Sequence, residues 1–190
     1  FEATQRLEAS TEVSILVGDI HGYTRLNQRH GASDVFANVS RVFAHLEAVV
    51  HEHLGAIKEY QGDAVFAYWE AHRGEVPSHA CRACGAALAL DARLRQLAAD
   101  PDVWSFPDVP LRMEWAVTTG PVLLSSMGRD RPVGLAMVGD AVNYAFRLEK
   151  LAGEKTGGIL VCARTEVLCR SAFRFRDLGP VQVEGRALAE

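Results

Sequence analysis

Nowhere in the 190 residues does an apolar run approach the roughly 18 that a membrane-crossing helix needs. The chain opens on the polar stretch FEATQRLEAST instead of a charged-then-apolar leader, and it does not begin with Met. The expectation is a cytoplasmic domain, or the cytoplasmic part of a larger protein with a sensor region upstream, whose own surface touches no membrane. Strong charge of one sign is also missing. With 20 basic residues against 24 acidic ones the net charge is -4, which excludes the broad positive field of a general nucleic-acid binder. Cysteine is scarce: Cys81 and Cys84 have C-x-x-C spacing, but Cys162 and Cys169 stand seven apart, without the second close pair of a four-thiolate zinc site. Ala80, Ala83, Cys84, Ala87 and Leu88 recur at helical period around the first pair, so the cysteines read as small helix residues and free thiols.

Apolar residues are plentiful at 48%, enough for one full core, and no repeat or interdomain linker interrupts them. Residues 1–12 read as a linker or the remnant of an upstream region, and 13–190 as a single domain. Val13 to Val17 is a short β-branched run ending in Gly18-Asp19, a buried strand with a carboxylate at its tip. After Gly31 and a Ser33-Asp34 cap, Val35, Val39, Val42, Leu46 and Val49 repeat as a long amphipathic helix. Ala56 to Tyr60 and Ala64 to Trp69 form a hairpin bent at Gln61-Gly62-Asp63. A second helix opens at Pro77-Ser78 and runs to about Ala99. Leu111 to Thr118 and Val122 to Ser125 read as a hairpin turning at Gly120-Pro121, followed by a projecting arm from Met127 to Val133. A third helix from Gly139-Asp140 to about Ala152 precedes a strand at Ile159 to Val161, a helical piece near Arg164 to Cys169, and two terminal strands. That order predicts an α+β, ferredoxin-like antiparallel sheet with two helices on one face and further α/β additions.

Asp19 and Asp63, both at strand ends, are candidates to share two divalent ions, Mg²⁺ or Mn²⁺, whose remaining coordination comes from water and phosphate oxygens. The alternative is a pair of ordinary turn aspartates. On the third helix Asn143 and Arg147 are four apart and share a face, an amide for a ribose oxygen beside a guanidinium for a crowded phosphate. The alternative there is a solvated surface with Arg147 paired to Glu149 or Glu154.

Taken together, VGDIHGYTRL, GAIKEYQGDAVFAYW and VGDAVNYAFRLEKL resemble the class III nucleotidyl cyclases, the adenylate and guanylate cyclase family, over about Val13 to Arg186. The resemblance implies that Asp19, Asp63 and the backbone of Ile20 hold two metal ions. It places Ile20, His21, Gly22, Tyr23 and Thr24 beneath the triphosphate, and makes Asn143 and Arg147 the catalytic pair that meets the transition state. It implies a head-to-tail homodimer with two shared sites, one subunit bringing the aspartates and its partner the helix pair, with Met127 to Val133 as the dimerisation arm. The implied reaction turns a nucleoside triphosphate into a 3′,5′-cyclic nucleotide and pyrophosphate for intracellular signalling, with no cofactor beyond metal. His21 as a metal ligand is the minority reading, because such ions prefer oxygen.

The substrate-binding positions depart from the family pattern. The base-reading positions, four residues before Asp63 and seven before Asn143, hold Glu59 and Ala136 where adenylate cyclases carry lysine and aspartate or threonine. Glu59 can accept hydrogen bonds from the N1–H and amine of guanine, but Ala136 offers no side-chain partner. Three alternatives stay open: Glu59 in a local salt bridge with loose specificity, a pyrimidine substrate, and Lys58 in place of Glu59 should the strand register slip. Near the end, Glu184 stands where the family has a phosphate-contacting lysine, leaving Arg186 as the candidate to reach the phosphates. The competing function is a non-catalytic cyclase-like module that dimerises and binds nucleotide to regulate an attached domain. A different metal-dependent nucleotidyltransferase leaves Asn143 and Arg147 without a role.

Overall fold

The computed structural model describes residues 10–127 and 134–183. Its sheet is built on β1 (Ser10–Ile20), which pairs antiparallel on one side with β3 (Ala64–Glu70) and on the other with β4 (Met113–Met127). β2 (Ala56–Gln61) and β5 (Gly134–Val138) extend the sheet outward in the order β2-β3-β1-β4-β5, and β6 (Ile159–Val161) pairs parallel with β4. Both faces of β1 are covered, which is why VSILV reads as an unbroken apolar run. Leu16 and Ile20 face a core closed by α2 (Ala32–Glu52) and α3 (His79–Leu97), through Val39, Val42, Leu46, Ala83, Ala87 and Leu90. Val13, Ile15 and Val17 face the other way, against Ala141 and Ala145 of α4 (Asp140–Glu149). The two helices on one face are as anticipated; the third covers the opposite face of the sheet. A short α1 (Tyr23–Arg29) follows β1, and α5 (Ala163–Cys169) follows β6.

Several local expectations are corrected. Gly120-Pro121 is no hairpin turn, since β4 runs straight through it. On the edge away from β1, β4 pairs with β6 over Trp115–Val117 and with β5 over Leu123–Met127. Pro121 falls between these partners, where one edge is unpaired and a residue lacking N–H is tolerated. β5 and α1 have no counterpart in the sequence reading, and α2 is capped by the backbone of Gly31, without a side-chain cap from Ser33 or Asp34. After α5 the described chain forms no further strand up to Val183, so the two terminal strands are absent among the described residues. Most of the arm, residues 128–133, lies outside them, as do Glu184 and Arg186. Cys81 and Cys84 lie on α3 as expected, and all four cysteines are free, with the Cys84 and Cys169 thiols 3.9 Å apart. No helix among the described residues is long and apolar enough to cross a membrane.

Close approach explains one glycine of the first motif. A Cβ on Gly18 would stand 2.1 Å from the ring of Trp115, which is fully buried on the neighbouring strand. Gly18→Ala must therefore displace an indole in a packed core, and is expected to cost about 1–3 kcal/mol in denaturant unfolding.

A buried polar chain ties the sheet to the helices. Ser14 Oγ lies 2.9 Å from His79 Nδ1 and 2.8 Å from Thr119 Oγ1, which in turn lies 2.9 Å from Thr165 Oγ1. Burial lowers the pKa of His79, opposed by Glu12 across 3.5 Å, while Arg164 and His72 add to the lowering. The unfolded chain then binds more protons than the folded one, so this group's contribution is present above about pH 6.5 and lost as pH falls below it. The thermal midpoint of the wild-type protein should drop more between pH 7.5 and 5.5 than that of His79→Gln; equal drops would assign the acid sensitivity elsewhere.

Candidate active site

The register of β1 assembles the site. Asp19 stands opposite Ala64 on β3 and opposite Glu114 on β4, so the hairpin residue just before Ala64, Asp63, is delivered to its side. Gly62, at φ 66°, gives the β2–β3 turn the left-handed backbone it needs. The Asp19 and Asp63 carboxyls share a hydrogen bond, and the Ile20 N–H donates to the Asp63 carbonyl at 3.3 Å. Burial first, then the hydrogen bond and charge of Asp19, hold the Asp63 carboxyl well above the usual carboxylate range. Asp19 Oδ1 is buried without a hydrogen-bond partner among the described residues.

Ile20 to Thr24 forms the passage from β1 into α1. Ile20 is buried, Gly22 at φ 74° turns the chain, Tyr23 packs on the core, and Thr24 is exposed. The His21 N–H donates to the Arg112 carbonyl at 2.9 Å, and its ring Nδ1 lies 2.9 Å from Glu114 Oε1. Asp19, His21, Arg112, Glu114, Glu149, Lys150 and Lys155 are among the residues that line an open cleft of about 740 Å³. Of these, Arg112, Glu114, Lys150 and Lys155 were not singled out from the sequence. Glu114 could have been found from strand pairing, since only the register sets it against Asp19. Glu149 is buried at the C-terminal end of α4, its pKa raised to about 7 by burial and by the charges of Asp19, Glu114 and Asp63, against the lowering effect of Lys150.

The remaining residues are held apart from this cleft. Asn143 is exposed and Arg147 half-buried on α4, and neither makes a hydrogen bond or ion pair with Asp19 or Asp63. Arg147 does not pair with Glu149, which points to the Asp19 side; two positions along a helix turn a side chain through about 200°. Glu59 on β2 and Ala136 on β5 sit on opposite edges of the sheet. β2 bulges against β3 between Ile57 and Glu59, with Glu59 itself still paired to Phe66, and the Lys58 ammonium lies 3.3 Å from Glu59 Oε2. Glu59 Oε1 accepts from Gln61 Nε2 at 2.8 Å.

The family model for the adenylate and guanylate cyclase catalytic domain matches residues 6–190. Adenylate cyclase 1 of Rhizobium meliloti (strain 1021) is 30% identical over 178 residues, covering 94% of this chain and 26% of that protein, so the chain spans about a quarter of the relative's length. Among solved structures, the adenylyl cyclase CyaB from P. aeruginosa superposes with a TM-score of 0.83 at 21% identity, over 95% of this chain and 91% of that one. The guanylate cyclase domain of RhGC from Catenaria anguillulae, solved with GTP, gives 0.79 at 22% identity, over 95% and 94%. These structural likenesses carry the fold, and the match over nearly the whole sequence carries the descent: the chain belongs to the class III adenylate and guanylate cyclase catalytic domain family.

Proposed function

We propose that the domain cyclises a nucleoside triphosphate to its 3′,5′-cyclic nucleotide, releasing pyrophosphate, in the cytoplasm. The observation that carries this reading is the pair Asp19 and Asp63, brought side by side from two strands with one buried carboxylate oxygen left without a partner. An unpaired buried carboxylate costs free energy that a bound cation returns. The donors are hard oxygens, so the residues present fit divalent Mg²⁺ or Mn²⁺, held by Asp19, Asp63 and the Ile20 carbonyl. Bound there, the ions supply acidification of the ribose 3′-hydroxyl and neutralisation of the polyphosphate. The 3′-oxygen gives up its proton to solvent water and bonds to the α-phosphorus, and the bond from that phosphorus to the pyrophosphate oxygen breaks, pyrophosphate leaving with that electron pair. Ile20 to Thr24 hold the triphosphate, and Arg147 offsets charge gathering at the α-phosphate while Asn143 orients the ribose.

Two copies are needed in this reading, because Asn143 and Arg147 ride on α4 and contact neither aspartate in their own subunit. A head-to-tail pair sets α4 of one copy over the aspartates of the other and brings Glu59 and Ala136, on opposite sheet edges, to one base. A purine is the proposed base. Loose selection is the second reading, favoured by the engagement of both Glu59 oxygens with Lys58 and Gln61 inside its own strand.

Purified protein incubated with Mn²⁺ and each of ATP, GTP, CTP and UTP should yield a cyclic nucleotide from ATP or GTP, read by chromatography. Comparable yields from all four would favour loose selection, and silence from demonstrably dimeric protein would favour the regulatory module. For the shared site, Asp63→Ala and Arg147→Ala should each fall below about 1% of wild-type activity. Mixed one to one, they should recover about a quarter of it, because half the dimers are mixed and each of those carries one intact site of two. No recovery in proven mixed dimers contradicts the cross-subunit arrangement.

A further inference from the structure

Three of the four thiols meet where α3 lies against α5, and the chemistry above uses none of them. Cys81 and Cys84 are three apart on α3, which puts them on one face, and Cys169 closes α5. The Cys84 and Cys169 sulfurs lie 3.9 Å apart, and the Cys169 thiol is also within hydrogen-bond reach of Cys81. The Cys81 thiol itself donates to the Leu168 carbonyl at 3.8 Å, so it rests on the last turn of α5. Sulfurs already in contact must close by about 2 Å to form a disulfide. Exposure separates the three. Cys84 and Cys169 are buried, while Cys81 is partly exposed. Burial pushes the Cys84 thiol up to about 11 and raises that of Cys169 further, so at neutral pH neither offers the thiolate that attacks an oxidant. The fourth thiol, Cys162, is turned to Thr165 Oγ1 at 3.3 Å.

We propose that the α3–α5 contact is a site of reversible oxidation by hydrogen peroxide, at which Cys81 takes the oxidant and Cys169 resolves it as a disulfide. The Cys81 thiolate attacks one peroxide oxygen, the O–O bond breaks, and the hydroxide that leaves takes up the former thiol proton as water. Cys81 is then a sulfenic acid, oxidised by two electrons as the peroxide is reduced. Next the Cys169 sulfur bonds to the Cys81 sulfur and the S–O bond breaks, the hydroxyl leaving as water with the Cys169 proton. One peroxide and two thiols thus give one disulfide and two waters. Cys84, in contact with Cys169, can take over the bond by exchange and release Cys81, and either bond fastens α5 to α3. In a reducing compartment such a bond is transient, which suits a sensor and not a permanent bridge. Through Thr165, α5 also ends the buried chain that runs from Ser14 by way of Thr119, so the bond ties the helix layer to the sheet. None of these cysteines lines the cleft around Asp19, and the site does not rest on the cyclase reading.

For the test, the full chain is reduced, desalted and treated with hydrogen peroxide, then alkylated, digested with trypsin and mapped by mass spectrometry. Cleavage after Arg82 parts Cys81 from Cys84, and cleavage after Arg164 and Arg170 isolates Cys169 in one peptide. The expected product joins the Cys169 peptide to that of Cys81 or Cys84 within one chain, and dithiothreitol removes it. With dimedone present, the sulfenic adduct should appear on Cys81. Cys81→Ser should slow the cross-link by about tenfold or more, whereas Cys162→Ser should match the wild type. The oxidised wild type should melt higher than the reduced protein, because the bridge closes a long loop. A Cys81–Cys84 bond, a bond between chains, or no cross-link at all overturns the proposal. An undiminished rate in Cys81→Ser does the same, as does a cross-linked protein that melts below the reduced one, in which the bond would have formed on a distorted chain. Mapping of the wild type decides the first three of these, so the outcome stands even where a variant fails to fold.

Discussion

The pairing of β1 on both edges is the constraint on which the site depends. Eleven residues of this strand are matched to β4 and seven to β3, and the same ladder that buries Ile15, Leu16 and Val17 carries Asp19 to a fixed place beside Asp63 and Glu114. A slip of one residue would turn every apolar side chain of β1 to the wrong face, so the core enforces the register and the register enforces the acidic cluster. The cluster is held against its own repulsion. Two unit charges 4 Å apart near a protein surface interact by about 4 kcal/mol at an effective dielectric of 20. Burial first, and then the neighbouring negative charge, raises the pKa values of Asp63 and Glu149.

The packing of α4 on the face opposite α2 and α3 fixes which side of that helix is left outward. A sheet with helices on one face alone would leave Val13, Ile15, Val17 and Phe66 bare. Ala141 and Ala145 cover these, so the small residues of α4 face inward and Asn143 is left outward. Gly139 permits this docking, since a Cβ there would stand 2.6 Å from the Pro121 carbonyl oxygen on β4. The V-G-D opening of α4 is therefore a packing requirement before it is a signature, as is Gly18 against Trp115.

What could be read from the sequence divides along physical lines. Helices with strong 3.6-residue periodicity, such as α2 and α3, were legible to within a few residues, because one buried stripe determines them. The β2–β3 hairpin was legible because Gln61-Gly62-Asp63 states its own turn chemistry. Gly120-Pro121 misled for the same reason: the dipeptide carries a turn signal, and only the arrangement of β5 and β6 along one edge of β4 makes an extended Pro121 acceptable. The two aspartates were visible as strand-end acids, but Glu114 was not, since its proximity to Asp19 is a property of pairing between segments about 95 residues apart. Glu149 was visible only as a conceivable partner for Arg147; burial and helix rotation assign it to the other side.

The bulge in β2 bears on base selection in a way neither residue does alone. An extra residue in one strand of an antiparallel pair leaves two neighbours opposite one, which breaks the strict alternation of faces. Lys58 and Glu59, which regular pleating would send to opposite sides, here meet at 3.3 Å. In the proposed function, a lysine donor and a carboxylate acceptor held side by side would match the mixed donor and acceptor edge that every nucleobase presents, without specifying one base. Discrimination arises when a wrong base leaves a buried polar group unpaired. Glu59 already has Gln61 on one oxygen and Lys58 on the other, so a mismatched base strands little. A selective domain on this backbone would have to free Glu59 from its own strand. The local ion pair and the proposed base contact therefore compete for the same two oxygens.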